Sequence, residues 1–145
     1  MFQDIKDIPF FQHLKDEDLE VLDGYLESYD LEEGEVLFEE GDNGDFVCFV
    51  VCGGMDILKK DIWEEEKVIA HISDGAVIGE MSLIDKNPRS ASVFAAESCH
   101  LAILTERAFY SIVEQQPRIG MHIYRELAMI LSQNLRHTNQ RILEQ

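Results

Sequence analysis

Positive charge is scarce in this sequence. Twelve Lys and Arg residues stand against 29 Asp and Glu residues, which gives a formal net charge of −17 at pH 7. Such a charge repels a phosphate backbone, and no basic stripe is present in which Lys and Arg could replace released counterions. We therefore expect no direct contact with nucleic acid. A small anion would have to be captured by local donors, such as a buried Arg or backbone N–H groups.

Cysteines and long apolar runs are also scarce. Cys48, Cys52 and Cys99 form no metal-type cluster, and their odd number without a secretory signal favours reduced thiols in a cytoplasmic protein. We interpret all three as small apolar packing residues. No apolar run approaches the roughly 20 residues that a transmembrane helix requires, so we expect no membrane-embedded role.

Histidines are few and scattered. A metal-dependent enzyme of the cupin type needs two or three His and a carboxylate from neighbouring strands, whereas His71 and His100 are isolated and no His-x-His occurs. The sequence also shows no pattern that pairs a nucleophilic side chain with a general base. The sequence therefore predicts a protein that is not an enzyme and that holds no metal or cofactor, and the cupin type is the least favoured alternative.

Short β-rich runs fill the middle of the chain, beginning where the texture changes at Tyr29. Glycine or acidic turns separate them, and many short strands at such spacing favour an antiparallel barrel or jelly roll. The predicted strands are 36–38, 46–51, 55–58, 67–72, 76–78, 92–95 and 100–104.

Helical patterns flank this β region. We predict an amphipathic helix over about 16–27, a helix capped by Thr105, and a last helix that begins at Pro117 and runs to near the end of the chain. The last helix carries an apolar face that includes Ile123, Leu127 and Leu135. Its first half is expected to cover the barrel. Its second half extends beyond a small barrel, so we expect it to pair with a second copy.

The sequence thus predicts one domain over residues 1–145. Its parts are an N-terminal helical segment (1–28), a β region (29–104) and C-terminal helices (105–145).

One segment, residues 78–93, carries the chemistry. Gly79 precedes a stretch long enough for one or two helical turns, and Asn87-Pro88 then breaks the helix just before Arg89. A planar guanidinium donates two parallel hydrogen bonds to phosphate oxygens, whereas the Glu80 carboxylate suits a ribose 2′-hydroxyl. Ser90 and the backbone N–H groups of Ser90 and Ala91 would complete the cradle. Taken singly, Gly79-Glu80 is more simply interpreted as an ordinary turn, and Arg89 as one partner of an ordinary surface salt bridge.

The whole pattern is more specific than its parts. Gly79-Glu80, an apolar residue two beyond the Glu, and then Pro88-Arg89-Ser90-Ala91-Ser92-Val93 resemble the phosphate-binding cassette of the cyclic nucleotide-binding domain family. This family includes catabolite activator proteins and the regulatory subunits of cyclic-AMP-dependent kinase. The glycine turns within 31–45 and the order of the later segments, 101–109 and then Pro117, are also similar to the family. Ile78 and Cys48 depart from the family pattern, which often has an aromatic residue and a tyrosine at these positions.

The resemblance implies a mainly β fold with flanking α-helices, in which an eight-stranded antiparallel β-roll of the jelly-roll type lies between an N-terminal helix and C-terminal helices. It also implies a cyclic nucleotide ligand. The homodimer that we expect through the last helix rests on the apolar face and length of that helix. The implied sugar-phosphate site consists of Gly79, Glu80, Met81, Ser82, Arg89, Ser90 and Ala91.

The base of the ligand is assigned less directly. The stretch 135–139 looks like the part of the last helix that reaches the adenine in catabolite activators, which makes Thr138 and Asn139 the candidates. This register needs one extra helical turn after Pro117, and the alternative is that Thr138 lies in a seam and Asn139 faces solvent. The polar candidates favour cyclic AMP, with cyclic GMP as the other purine ligand.

Two readings of function remain open. The first is a cytoplasmic sensor that couples cyclic nucleotide binding to movement or pairing of its last helix. The second is a domain that keeps the fold without the ligand and serves for dimerisation or partner docking. Within these residues no helix-turn-helix, kinase, channel or cyclase segment follows the last helix, so we expect the effector to be a separate protein or a neighbouring domain.

Overall fold

Eight antiparallel strands form two four-stranded sheets in the computed structural model, which describes residues 2–144. One sheet has the order β1-β8-β3-β6 and the other β2-β7-β4-β5. The strands are β1 (Glu27–Leu31), β2 (Val36–Phe38), β3 (Phe46–Cys52), β4 (Met55–Lys60), β5 (Glu66–Ile72), β6 (Val77–Ile78), β7 (Ser92–Ala95) and β8 (Cys99–Thr105). The predicted eight-stranded roll is confirmed. Met1 and Gln145, the ends of the predicted domain, lie outside the described residues.

Helices precede and follow the strands in the sequence, and one short helix lies between β6 and β7. They are α1 (Phe2–Ile5), α2 (Asp16–Asp23), the short cassette helix α3 (Met81–Asp85), α4 (Glu106–Gln115) and α5 (Pro117–Glu144), and a 3₁₀ turn spans Pro9–Phe11. The predicted starts of the last two helices are confirmed. Thr105 caps α4 by accepting a hydrogen bond from the backbone N–H of Ala108 at 3.1 Å.

Strand β3 divides the core into two clusters because its side chains alternate. Cys48 and Val50 point into the roll, between the sheets, and Val47 and Phe49 point out to the helices. Both sets are buried, so the strand reads as a continuous apolar run. The interior cluster also contains Leu31, Phe38, Met55, Ile78, Val93, Ala95, Cys99, Leu101 and Ile103.

The outer cluster anchors the helices to the first sheet. Ile119, Ile123 and Leu127 of α5 are buried there with Phe109 and Ile112 of α4. The prediction that the first half of α5 covers the barrel is therefore confirmed. Farther along the same helix, the Leu135 and Ile142 side chains are 62% and 63% exposed.

Two predicted boundaries differ from the structure. Helix α2 ends at Asp23 rather than near residue 27, because Gly24 begins a tighter turn in which Tyr25 N–H donates to Leu22 O at 2.9 Å. Strand β1 begins at Glu27, inside the predicted helical segment. It was absent from the predicted strands because Leu31 is its only buried residue, so the sequence shows no apolar alternation.

The cysteine prediction was partly wrong. Cys48 and Cys99 are buried as expected, but Cys52 is exposed. The pairing of β3 with β8 shifts register between Val50 and Cys52, and Cys52 ends the strand outside the core.

Candidate functional site

The segment between β6 and β7 forms the wall of a cavity. Gly79 follows β6 with a φ of +78°, a left-handed conformation in which a side chain is strained. Helix α3 (Met81–Asp85) comes next, with Lys86 as its C-cap, and the chain then turns through Asn87 and Pro88 to Arg89. Helix α3 ends at Asp85, before Asn87-Pro88, which agrees with the prediction that no helix continues through this pair.

Arg89 is a buried cation, with only 4% of the residue exposed. Its Nη1 donates to Gly79 O and to Ser82 Oγ, both at 3.2 Å, and its Nη2 donates to Phe46 O at 2.7 Å. These acceptors come from β3, from the turn after β6 and from α3. Arg89 therefore ties the cassette to the first sheet.

Two aromatic rings enclose the guanidinium. Its Cζ atom lies 4.1 Å from the ring centre of Phe38 and 4.6 Å from that of Phe46. Such contacts are favourable between a cation and an aromatic ring, and they restrict the plane of the guanidinium. The rings leave its edges available for hydrogen bonds.

Part of the guanidinium has no acceptor. An Arg side chain has five N–H donors, and the three bonds above use three of them. The buried Nε atom finds no partner among the residues that the structure describes. An unsatisfied buried donor costs about 1–3 kcal/mol, so an acceptor brought in by a ligand would recover this free energy.

The charge of Arg89 is not neutralised by the buried thiol beside it. Burial raises the pKa of the Cys48 thiol to about 12; Cys99 raises it further and Arg89 opposes the rise. Burial also lowers the pKa of Arg89, while the carboxylates of Asp45 and Asp42 act in the opposite direction. Because the ordinary pKa of an Arg side chain lies far above neutral pH, Arg89 stays cationic. The site is thus a local positive charge in a strongly acidic molecule.

Two glycines make room for this side chain. A Cβ atom on Gly79 would lie 2.2 Å from Nη1 of Arg89. A Cβ atom on Gly44 would lie 2.1 Å from Ser82 Oγ and 3.2 Å from Nε of Arg89. The space beside Gly79 is therefore filled by the Arg89 side chain itself.

Glu80 shares the cavity with Arg89. It directly precedes α3 and is partly buried. Burial raises the pKa of the Glu80 carboxyl, and the nearby Arg89 guanidinium opposes the rise. A partly desolvated carboxylate is a strong acceptor for a hydroxyl group.

The cavity has a volume of about 320 Å³, within the range of small-molecule sites. All seven residues predicted for the sugar-phosphate site lie on its wall. Apolar residues from both sheets and polar residues from the end of α3 complete the lining, which consists of Phe38, Ile57, Ile72, Val77, Ile78, Gly79, Glu80, Met81, Ser82, Asp85, Asn87, Pro88, Arg89, Ser90, Ala91 and Val93. A compact ligand with an anionic end and a hydroxyl-bearing ring matches this arrangement.

The predicted base contacts are not brought to this cavity within one chain. Thr138 and Asn139 are exposed on the second half of α5 and are not among the lining residues. The Thr138 hydroxyl donates to Asn134 O at 3.0 Å, one turn back along the helix.

Sequence reasoning missed three residues that surround the Arg89 side chain. Phe38 and Phe46 enclose the guanidinium, and Gly44 makes room for it. Each approaches Arg89 from more than 40 positions away, so only the tertiary structure reveals the contact. A weak signal was present, because Gly44 lies within the glycine turns of 31–45 that are similar to the family, and Phe46 begins a predicted strand.

No helix in the described part of the chain is both long and apolar enough to cross a membrane.

Comparison with known proteins agrees with the geometry. The sequence model of the cyclic nucleotide-binding domain matches residues 30–116. The cyclic AMP receptor protein of Thermus thermophilus is 27% identical over 135 residues, which are 93% of this chain and 61% of that protein. The cAMP-activated global transcriptional regulator of Escherichia coli O157:H7 is 27% identical over 63% of this chain and 44% of its own length. The chain thus spans 44–61% of these two relatives.

A solved structure matches the fold over nearly the whole chain. The cyclic nucleotide-binding domain from Methylobacillus flagellatus superposes with a TM-score of 0.85 and 30% identity, covering 99% of this chain and 80% of that one. These comparisons give the cupin alternative no support. With the cassette, the two-sheet roll and the family match in agreement, the chain belongs to the cyclic nucleotide-binding domain family.

Proposed function

We propose that this chain binds a purine cyclic mononucleotide, preferentially cyclic AMP, and acts as a regulatory domain without catalytic activity. The observation that carries the proposal is the unpartnered Nε of Arg89, a buried cation on the wall of a cavity that also contains Glu80. A cyclic phosphate supplies the missing acceptor, and its ribose supplies a hydroxyl for the carboxylate.

The proposed ligand spans three parts of the cavity. Its phosphate accepts hydrogen bonds from Nε and the remaining Nη2 donor of Arg89, with support from Ser90 and Ala91. Its 2′-hydroxyl donates to Glu80. The purine packs against the aliphatic side chains of Ile57 and Ile72, which line the cavity.

Binding at the cassette has a route to the C-terminal helices. Leu83 of α3 is buried in the same apolar cluster as Phe109 of α4 and Leu127 of α5. A ligand that favours one position of α3 therefore also favours one arrangement of the helices. Coupling of this kind requires different ligand affinities for the two arrangements.

The proposed output is pairing of α5 with a second copy. Tyr124, Leu131, Leu135, Thr138 and Ile142 recur at intervals of three, four or seven, which places them along one side of the helix. In such a homodimer Thr138 and Asn139 are the candidates for contact with the base. The effector is proposed to be a protein, since a chain of net charge −17 is repelled by nucleic acid.

Isothermal titration calorimetry tests the proposal with cyclic AMP, cyclic GMP and cyclic dinucleotides as titrants. We expect one cyclic AMP per chain and a preference over cyclic GMP. In Arg89→Ala two charge-assisted hydrogen bonds are lost, so affinity should fall about 100-fold or more. Arg89→Lys keeps the charge but loses the paired donors and should lie between the two.

A matched ligand pair tests the role of Glu80. Glu80→Ala should weaken binding of cyclic AMP more than binding of its 2′-deoxy analogue, because only cyclic AMP loses a hydrogen bond. A folded wild-type chain that binds no cyclic nucleotide would instead support the ligand-free docking module, and equal losses for both ligands would remove Glu80 from the ribose site.

A further inference from the structure

Lys86 occupies a backbone position that a lysine seldom takes. It ends α3 in the left-handed conformation, with φ 58° and ψ 19°, and its N–H donates to Ser82 O at 3.2 Å. This position of a helix end usually carries glycine, because a Cβ atom there crowds the backbone. If Lys86 only terminated α3, glycine would do so with less strain.

The Lys86 side chain makes contacts that glycine cannot. Its Nζ atom lies 3.6 Å from Oε1 of Glu106 and 5.4 Å from the ring centre of Tyr110. Glu106 and Tyr110 are four residues apart, on one side of the first turns of α4. The Tyr110 side chain and then the Glu106 carboxylate raise the pKa of Lys86. Three side chains from two elements thus meet at one point.

The elements on both sides of this contact are fixed elsewhere. The Arg89 N–H donates to Asp42 O at 2.8 Å, which holds the end of the cassette next to the β2–β3 loop. On α4, Phe109 beside Tyr110 packs edge-on against Tyr124 of α5, with ring centres 4.8 Å apart. The Lys86 contact is therefore a polar link between the cassette and the helix pair, separate from the apolar contact of Leu83.

We infer that Lys86 is a positioning residue that ties α3 to the first turns of α4 through Glu106 and Tyr110, and that this tie passes movement of the cassette to α4. The part that concerns movement rests on the proposed function. The tie itself does not, since its contacts are made without a ligand.

Two substitutions separate the tie from the backbone strain. Lys86→Ala removes the side chain and keeps the strained Cβ, whereas Lys86→Gly removes both and suits the left-handed conformation. Glu106→Gln removes the charge of the partner. Lys67→Ala is the matched control, because Lys67 of β5 is an equally exposed lysine, paired with Glu65 at 3.4 Å, and lines no part of the cavity.

Hydrogen–deuterium exchange of the full chain measures the tie directly. Without ligand, amides of residues 107–112 should exchange roughly twofold to fivefold faster in Lys86→Ala, Lys86→Gly and Glu106→Gln, the range expected for an exposed ion pair. The Lys67→Ala control should match the wild type. Wild-type rates in both Lys86 variants would overturn the inference.

Added cyclic AMP tests the transmission. In the wild type we expect slower exchange at residues 79–86 and a changed rate at residues 107–112. Both Lys86 variants should keep the first effect and lose at least half of the second. A full response of α4 in both variants would overturn the inference. If cyclic AMP changed no exchange rate in the wild type, the result would count against the proposed function instead. The exchange rates measured without ligand would then be the test of the contact between Lys86 and α4.

Discussion

The Arg89 guanidinium is held in position before any ligand arrives. The guanidinium donates hydrogen bonds to Phe46 O, Gly79 O and Ser82 Oγ, and two aromatic rings restrict the orientation of its plane. A ligand therefore meets donors whose orientation is already fixed, so little side-chain entropy is lost on binding. The unsatisfied Nε costs free energy in the free protein, and a phosphate oxygen of the proposed ligand would remove this cost.

The proposed role of Glu80 predicts that the affinity for cyclic AMP depends on pH. Burial raises the pKa of its carboxyl, so as the pH falls Glu80 becomes protonated earlier than an exposed glutamate would. A neutral carboxyl is a weaker acceptor for the ribose hydroxyl. Cyclic AMP should therefore bind more weakly as the pH is lowered from neutral through the mildly acidic range, as measured by calorimetry.

Glu80→Gln is the control for this dependence, because the amide does not titrate. The affinity of the Glu80→Gln variant should be nearly constant over the same pH range. If this variant instead lost affinity at low pH as the wild type does, the assignment would be contradicted.

In the ligand-free chain, the stability of the fold should change with pH in the opposite direction. A raised pKa in the folded state stabilises the fold below the unfolded-state pKa, and this contribution is lost as the pH rises through the folded-state value.

At the scale of elements, the sequence located helices by their ends and strands by their apolar residues. Thr105 and Pro117 were recognised because caps and first-turn prolines act locally. Strand β1 was missed because it is held by its pairing with β8 rather than by buried side chains. The contacts of Phe38 and Phe46 with Arg89 were missed for a similar reason, since strand pairing and the roll bring them together.

The cap of α4 gives a stability prediction. Thr105→Ala leaves the Ala108 N–H without its acceptor and should reduce the free energy of unfolding by about 1 kcal/mol in urea titrations. Thr105→Ser keeps a hydroxyl acceptor and should stay close to the wild type. Equal losses in the two variants would show that the methyl group, rather than the cap, is responsible.

The exposed half of α5 gives an association prediction. Leu135→Lys places a charge on both sides of the proposed seam and should weaken self-association at least about tenfold, as measured by sedimentation equilibrium. The melting temperature of the monomer should hardly change, because the Leu135 side chain is exposed. Gln133→Lys adds the same charge away from the seam and should associate like the wild type; equal weakening in both variants would exclude the seam.

At the scale of the whole molecule, the charge of −17 opposes both compaction and the capture of an anion. The fold buries one positive charge, that of Arg89, on the wall of a cavity, where it would favour an anion locally. Composition alone predicted that such local donors would be needed. The spacing of Gly79, Glu80 and Arg89 then predicted where they lie, since those residues are close in sequence and share one wall.

Self-repulsion of this size predicts a salt dependence of stability. Raising the ionic strength from about 0.01 to 0.15 M shortens the screening length from about 30 to 8 Å. The melting temperature should rise, by roughly 2–4 °C for each kcal/mol of repulsion that is removed. NaCl and KCl should act equally if screening is the cause, and a melting temperature that falls with both salts would contradict this account.

The most direct test of the central claim is the side-chain resonance of Arg89 during a titration with cyclic AMP. In a ¹H–¹⁵N spectrum the Nε–H signal of Arg89 is identified by its absence in Arg89→Lys. We predict a downfield shift of its proton that saturates at one equivalent of ligand, as the unpartnered donor meets a phosphate oxygen. An Nε–H signal that stays in place while other signals of the protein respond to the ligand would contradict the account.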